Sequence, residues 1–397
     1  MATEKYFPTI EAIEKASEVL GEILDPTPFM KNNNLSDIYE ANVYLKREDL
    51  QIVRSYKIRG AYNMIRTLEP ERLQKGIVCA SAGNHAQGVA FSCNKLKIMG
   101  SIFMPTTTPK QKIEQVRMFG KEFIEIVLTG DTFDAANAAA IAYANENGKT
   151  FIPPFDDPKV MEGQGTIGKE IMQQSKVKLD YIFVPIGGGG LASGLGSYIK
   201  QMSPETKIIG VEPAGAPCMK TAIDTGHVVE LEHIDKFVDG AAVKKAGAMT
   251  YEVCKEVLDD IVIVPEGAVC TTIIQMYNKS AIVVEPAGAL SSAALRFYAD
   301  KIKGKNVACI VSGSNNDITR MEEIREKSLL YEGLKHYFIV NFPQKSGEIL
   351  SFIRDVIGPT DDLVYIQYIK KTNKNFGPAL IGIELASKDD FKALTER

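Results

Sequence analysis

From about residue 40 to residue 325, short apolar runs alternate with stretches in which apolar side chains recur every third or fourth position. The short runs, rich in β-branched and aromatic residues, predict strands at Val43–Lys46, Gly76–Ala80, Ser101–Met104, Glu122–Val127, Tyr181–Ile186, Lys207–Val211, Ile261–Val264 and Asn306–Val311. The periodic stretches predict helices. His85–Leu96 repeats Ala86, Val89, Ala90, Cys93 and Leu96, and Asp131–Asn147 is alanine-rich behind an aspartate cap. Near the N-terminus, Ile10, Ile13, Ala16 and Leu20 mark an amphipathic helix. Strands alternating with helices imply α/β architecture, with parallel sheets covered on both faces.

After Ile324 the pattern changes. A charged link, 325–335, leads to a strand at His336–Phe342, a helix at Ser346–Ile357, a strand at Leu363–Lys371, a turn at Asn373–Gly377 and a strand at Ala379–Leu385. A second helix starts at Ser387. This βαββα order is a ferredoxin-like unit short of its closing strand. Two domains are expected, 1–325 and 326–397, with the first divided into two α/β subdomains.

Charge and composition narrow the function classes. A net charge of −4 over 397 residues offers no basic surplus for nucleic acid. No apolar stretch is long enough to span a membrane, and the polar start does not read as a signal peptide. The six cysteines form no CxxC pair and the four histidines are scattered, so a reduced, cytoplasmic protein without a structural metal is expected.

In such folds chemistry gathers at the carboxyl ends of the strands. Three loops stand there: Ser81-Ala82-Gly83-Asn84-His85, Gly187–Gly190, and Ser312-Gly313-Ser314-Asn315. Each precedes a helix and can aim backbone N–H groups at an anion. The four glycines fit a monophosphate cup, but Gly187, Gly189 and Ala192 with Glu212 downstream also fit a dinucleotide fingerprint. Ser81–His85 can clamp a carboxylate or simply cap its helix. Ser312 is a helix cap or a neutral partner for a heterocyclic nitrogen, and Glu285 reads as first-turn charge. Lys57, in Ser55-Tyr56-Lys57-Ile58-Arg59-Gly60, opens a helical stretch beside an aromatic ring. An apolar setting there favours the neutral amine that condenses with an aldehyde.

Together, Lys46-Arg47-Glu48-Asp49, the Lys57 run, Ser81–Gly88, Gly187–Leu191, Glu285–Ala289 and Ser312–Asn315 resemble the fold-type II pyridoxal-phosphate enzymes, specifically the biosynthetic threonine dehydratases. The resemblance spans roughly 5–325. It implies two parallel-sheet subdomains of the tryptophan synthase β kind, and the tail resembles an ACT-like regulatory domain. It also implies pyridoxal 5'-phosphate as cofactor, L-threonine as substrate, and a lyase forming 2-oxobutanoate and ammonia, with L-serine as a second substrate. By the same resemblance Lys57 bonds the cofactor's aldehyde, with Tyr56 beside it. Asn84 meets the ring hydroxyl, Gly187, Gly188, Gly189, Gly190 and Leu191 hold the phosphate, and Ser312 faces the pyridine nitrogen. Ser81, Ala82, Gly83 and His85 line the substrate carboxylate site. Isoleucine, with valine as a second candidate, is the implied effector, and a homodimer or homotetramer the implied assembly.

The chain departs from the family in Tyr56, commonly phenylalanine, and Ser314, commonly glycine. Serine racemases carry a serine where Ala82 stands. A methyl group moves no proton, so elimination is expected over racemisation. Cys218 replaces a carboxylate that those racemases use beside a divalent cation, which argues against a hard-cation site.

Overall fold

The structure, a computed structural model, describes residues 6–369 and 375–397. Its strands are β1 (Phe29–Lys31), β2 (Asn42–Arg47), β3 (Ile77–Ala80), β4 (Gly100–Met104), β5 (Ile124–Leu128), β6 (Thr150–Phe151), β7 (Tyr181–Pro185), β8 (Lys207–Pro213), β9 (Asp260–Val264), β10 (Asn306–Val311), β11 (Lys335–Pro343), β12 (Asp362–Tyr368) and β13 (Phe376–Glu384). They form three sheets, ordered β1-β2-β10-β7-β8-β9, β5-β4-β3-β6 and β11-β13-β12. The four-stranded sheet is wholly parallel, and only β1 runs antiparallel in the six-stranded one.

The chain divides into two compact units. Met1–Glu266 with Met276–Asn316 forms the first, and Gly267–Gln275 with Asp317–Arg397 the second. In the first unit the small sheet is nested in sequence between β2 and β7 of the large one. Continuous apolar runs explain why both sheets are buried: β3 and β4 contribute Ile77, Cys79, Ile102 and Met104 to one core, while β7 and β8 contribute Ile182, Val184 and Ile208 to another. β7 and β10 are parallel neighbours, so the loops after them emerge side by side. The second unit is antiparallel. Alternate residues Ala379, Ile381 and Ile383 of β13 face a core completed by Phe342 and Leu394.

All eight strands expected in the catalytic part are present. β5 starts at Ile124 because Lys121–Phe123 closes into a 3₁₀ turn. The helix expected at Asp131–Asn147 runs Phe133–Glu146 and is capped by Thr132, whose hydroxyl accepts from Ala135 N–H at 3.2 Å. Asp131 is otherwise engaged, accepting from the Thr106 hydroxyl at 2.8 Å. β1 and β6, of three and two residues, are too short for a period to register. In the second unit the βαββα order is present. The end of the strand expected to reach Lys371 and the start of the Asn373–Gly377 turn lie outside the described residues.

Candidate functional site

Lys57 is the first residue of the helix Lys57–Arg66. Tyr56 N–H bonds Ser312 O at 3.2 Å and Ser55 bridges Gly313, so the helix start is tied to the end of β10. The next turn is anchored deeper. Arg59, Glu48, Glu170 and Lys46 form a buried ion network reaching β2 and the helix Pro158–Gln174. Among the described residues Lys57 itself has no carboxylate partner. Its Nζ donates to Pro154 O at 2.9 Å and lies 5.5 Å from the Tyr56 ring centre and 6.0 Å from that of Phe155. Burial pushes its pKa down to about 8, opposed in part by the charge of Glu285. The shift gives the amine a usable neutral fraction near physiological pH, and the neutral form is the one that attacks an aldehyde.

One cavity is lined by Tyr56, Lys57, Asn84, Gly187, Glu285 and Ser312. Asn84, at the start of the helix Asn84–Leu96, gives one amide hydrogen to Glu285 Oε1 at 2.7 Å, and its carbonyl oxygen accepts from Asn315. The amide is thereby oriented, with a second N–H hydrogen left to give. Glu285 is the residue before the helix Pro286–Ala293, yet it makes no side-chain cap there. It is buried, which raises its pKa to about 7, with Asp239 adding to the shift. Ser312 Oγ, also buried, donates to Ala287 O at 3.1 Å.

The glycine loop follows β7. Gly189 adopts φ +96°, a conformation that favours glycine, and the helix Gly190–Met202 starts directly after it. Among the described residues no acceptor takes the N–H groups of Gly187, Gly188 or Gly189. Buried N–H donors without partners at a helix N-terminus are the signature of an anion cup, so these residues fit a phosphate. Leu191 has only its backbone to offer such a cup, because its side chain lies in the core. Glu212, the carboxylate that a dinucleotide would need, is fully buried. Its two oxygens accept from Met219 and Lys220 N–H at 2.8 and 2.7 Å, so it is not free to meet a ribose.

Ser81, Ala82, Gly83 and His85 adjoin the cavity through Asn84 but do not line it. Ser81 Oγ accepts from Gly83 N–H at 3.2 Å, which shapes the turn and leaves the hydroxyl hydrogen to give. The His85 ring is bonded through Nε2 to Ile152 O at 2.9 Å, and burial lowers its pKa to about 3. The imidazole is neutral, and what His85 offers an anion is its first-turn N–H.

Sequence patterns did not flag Pro154, Phe155, Gly240 or Ala241. The Ile152-Pro153-Pro154-Phe155-Asp156 stretch could have been noticed as a proline-rich loop after an apolar pair.

Residues 22–313 match the family model of pyridoxal-phosphate dependent enzymes, and 326–397 match that of the C-terminal regulatory domain of threonine dehydratase. The chain is 58% identical over 388 residues to the biosynthetic L-threonine dehydratase of Halalkalibacterium halodurans, covering 98% of this chain and 94% of that protein. It is 56% identical to the Bacillus subtilis one, covering 98% and 92%. The processed form of threonine deaminase isoform 2 from Solanum lycopersicum is similar in structure, with TM-score 0.77 at 40% identity over 82% of this chain and 91% of that one. Maize serine racemase gives 0.75 at 28% identity, over 82% and 99%.

Proposed function

The chain belongs to the pyridoxal-phosphate-dependent enzymes and, among them, to the biosynthetic threonine dehydratases with a C-terminal regulatory domain; from that membership we propose which residues carry the deamination of L-threonine and how it is regulated. The observation that carries the assignment is the placing of Lys57. Its amine, at a pKa of about 8, shares one cavity with Asn84, Gly187 and Ser312.

Lys57 holds the cofactor's aldehyde carbon, Tyr56 lies beside its ring, and Asn84 gives its free amide hydrogen to the ring hydroxyl. The N–H groups of Gly187, Gly188, Gly189, Gly190 and Leu191 take the phosphate. Ser312 is the neutral partner of the pyridine nitrogen. Bound there, the cofactor supplies a sink for the electron pair left at Cα. Ser81 and the N–H groups of the 82–85 turn hold the substrate carboxylate, which sets the direction of the Cα–H bond. Once the substrate's amine has taken its place at the aldehyde carbon, the released Lys57 Nζ is free to take that proton; its bond to Pro154 O uses one N–H and leaves the lone pair free. Loss of hydrogen from Cα and hydroxide from Cβ removes one water. The resulting enamine hydrolyses to 2-oxobutanoate and ammonia. Ala82 puts a methyl group where a second proton carrier would be needed for racemisation.

L-serine is a second substrate in this reading, since one methyl group in a pocket is worth only about 1–3 kcal/mol. Residues 1–325 form the catalytic domain and 326–397 the regulatory one, with isoleucine as inhibitor, valine as a further effector, and association into dimers or tetramers. Six buried, unbridged cysteines support a reducing, cytoplasmic setting. The test is an absorbance spectrum of the purified protein, then addition of L-threonine with assay for the 2-oxoacid in rising isoleucine. A cofactor band perturbed by threonine, with 2-oxobutanoate formed and suppressed by isoleucine, is expected. A band without ketoacid would overturn the reaction, and an undiminished rate in isoleucine would overturn the regulation.

A further inference from the structure

Four consecutive glycines can point their peptides either way, because no side chain restrains them. A cup made of their N–H groups therefore needs its carbonyls fixed from behind. In a trans peptide the C=O of one residue and the N–H of the next point in opposite directions. Three buried side chains do this fixing. Cys218 Sγ donates to Gly187 O at 3.4 Å, Thr250 Oγ1 to Gly188 O at 2.6 Å, and Cys254 Sγ to Gly189 O at 3.7 Å. Each turns the following N–H, of Gly188, Gly189 and Gly190 in order, away from itself. Gly189 O also accepts from Ser193 N–H at 2.9 Å, and Gly188 O from Gly247 N–H at 3.2 Å. The thiols are weak donors. The hydroxyl, with the shortest of the three contacts on the middle peptide, is the strong one.

Thr250 is itself held. The Asp156 carboxylate accepts from the N–H groups of Ala248, Met249 and Thr250 at 2.9, 3.0 and 3.0 Å, capping the helix Ala248–Val257. Asp156 directly follows Phe155, whose ring would lie 2.4 Å from a methyl group placed on Gly188. Phe155 follows Pro154, which takes the Lys57 amine. One three-residue loop thus reaches the lysine, the inner face of the glycine loop and the helix that carries Thr250.

We infer that Thr250 is a positioning residue for the cofactor's phosphate, acting through the Gly188 carbonyl to aim the Gly189 N–H into the cup. The inference rests on the cofactor reading above. Its test separates the phosphate from the rest of the cofactor. Full-length apoprotein is titrated with pyridoxal 5'-phosphate and, separately, with pyridoxal, following the absorbance of the bound aldehyde. Thr250→Val, which keeps shape and removes the donor, should weaken pyridoxal 5'-phosphate about tenfold and leave pyridoxal unchanged. Thr250→Ser should restore the wild-type ratio. Equal weakening of both compounds, or none of either, overturns the inference. If Thr250→Val does not fold, Thr250→Ala, which removes the same donor, carries the same comparison, with a selective loss for the phosphate ester expected and an unchanged ratio overturning it. Wild-type protein that binds neither compound would instead refute the cofactor reading.

Discussion

Arg59 and Lys57 stand two residues apart at the start of the helix Lys57–Arg66, and their charges meet opposite surroundings. Arg59 reaches Glu48 through Nε and Nη2, both at 2.8 Å, and Glu170 through Nη1 at 2.6 Å and Nη2 at 2.9 Å. Lys46 completes the network through Glu170, Thr27 O and Gln174. Two cations and two carboxylates cancel, and nearly every donor has an acceptor, which is what makes so much buried charge tolerable. Lys57 receives one backbone carbonyl. Glu285, the carboxyl group whose charge acts on it, is itself pushed toward neutrality at about 7. A charge that is paired becomes a rivet, while one left unpaired gives up its proton more readily and, in the proposed reading, becomes a reagent. The rivet next to the reagent keeps the reagent aimed.

The largest effect expected is on the reagent. Lys57→Ala should lower threonine turnover by about 10⁴-fold, the upper range for loss of a general base, with the folded structure kept. Near-normal turnover of that variant would remove Lys57 from the mechanism. Next comes the rivet. Arg59→Met leaves Glu48 and Glu170 buried beside a single lysine and should cost about 3–5 kcal/mol in urea unfolding. A loss under about 1 kcal/mol would show that the network is not needed to hold this helix. A finer probe is the rate at which apoprotein captures pyridoxal 5'-phosphate. Only the neutral amine attacks, so the rate should rise about tenfold per pH unit up to about 8 and then level. Glu285 is the charge that opposes the downward shift, and His85 is already neutral there. Glu285→Gln should therefore move the plateau to lower pH by less than about one unit. A plateau that moves upward would mean that Glu285 does not act on Lys57 through its charge.

Much of this was legible in the sequence because it is local. Strands such as Asn306–Val311 are buried on both faces and read as plain apolar runs. Lys57, Asn84, Gly187 and Ser312 each sit in a recognisable run at the end of a strand or the start of a helix. What escaped is tertiary. Thr250 looks like any small polar residue in a helix, and its meaning comes from Gly188, 62 positions away. Glu285 passes for first-turn charge until Asn84, 201 positions away, takes its oxygen. Pro154 matters through a carbonyl that every residue possesses. His85 is a milder case: the sequence shows it inside the Ser81–His85 run, and only the fold shows that its ring serves Ile152.

The helix Glu266–Ser280 has its ends in the first unit and its middle, Gly267–Gln275, in the second. There the helix Met321–Tyr331 packs so closely that a methyl group on Gly267 would fall 2.3 Å from Tyr331 Cβ, and the Thr271 and Ser328 hydroxyls meet at 3.0 Å. For anyone wishing to transplant control onto another enzyme, the transferable cassette is therefore discontinuous. A graft of the tail alone would arrive without the helical seat it was shaped against, and a gene cut after Arg325 would leave that seat bare.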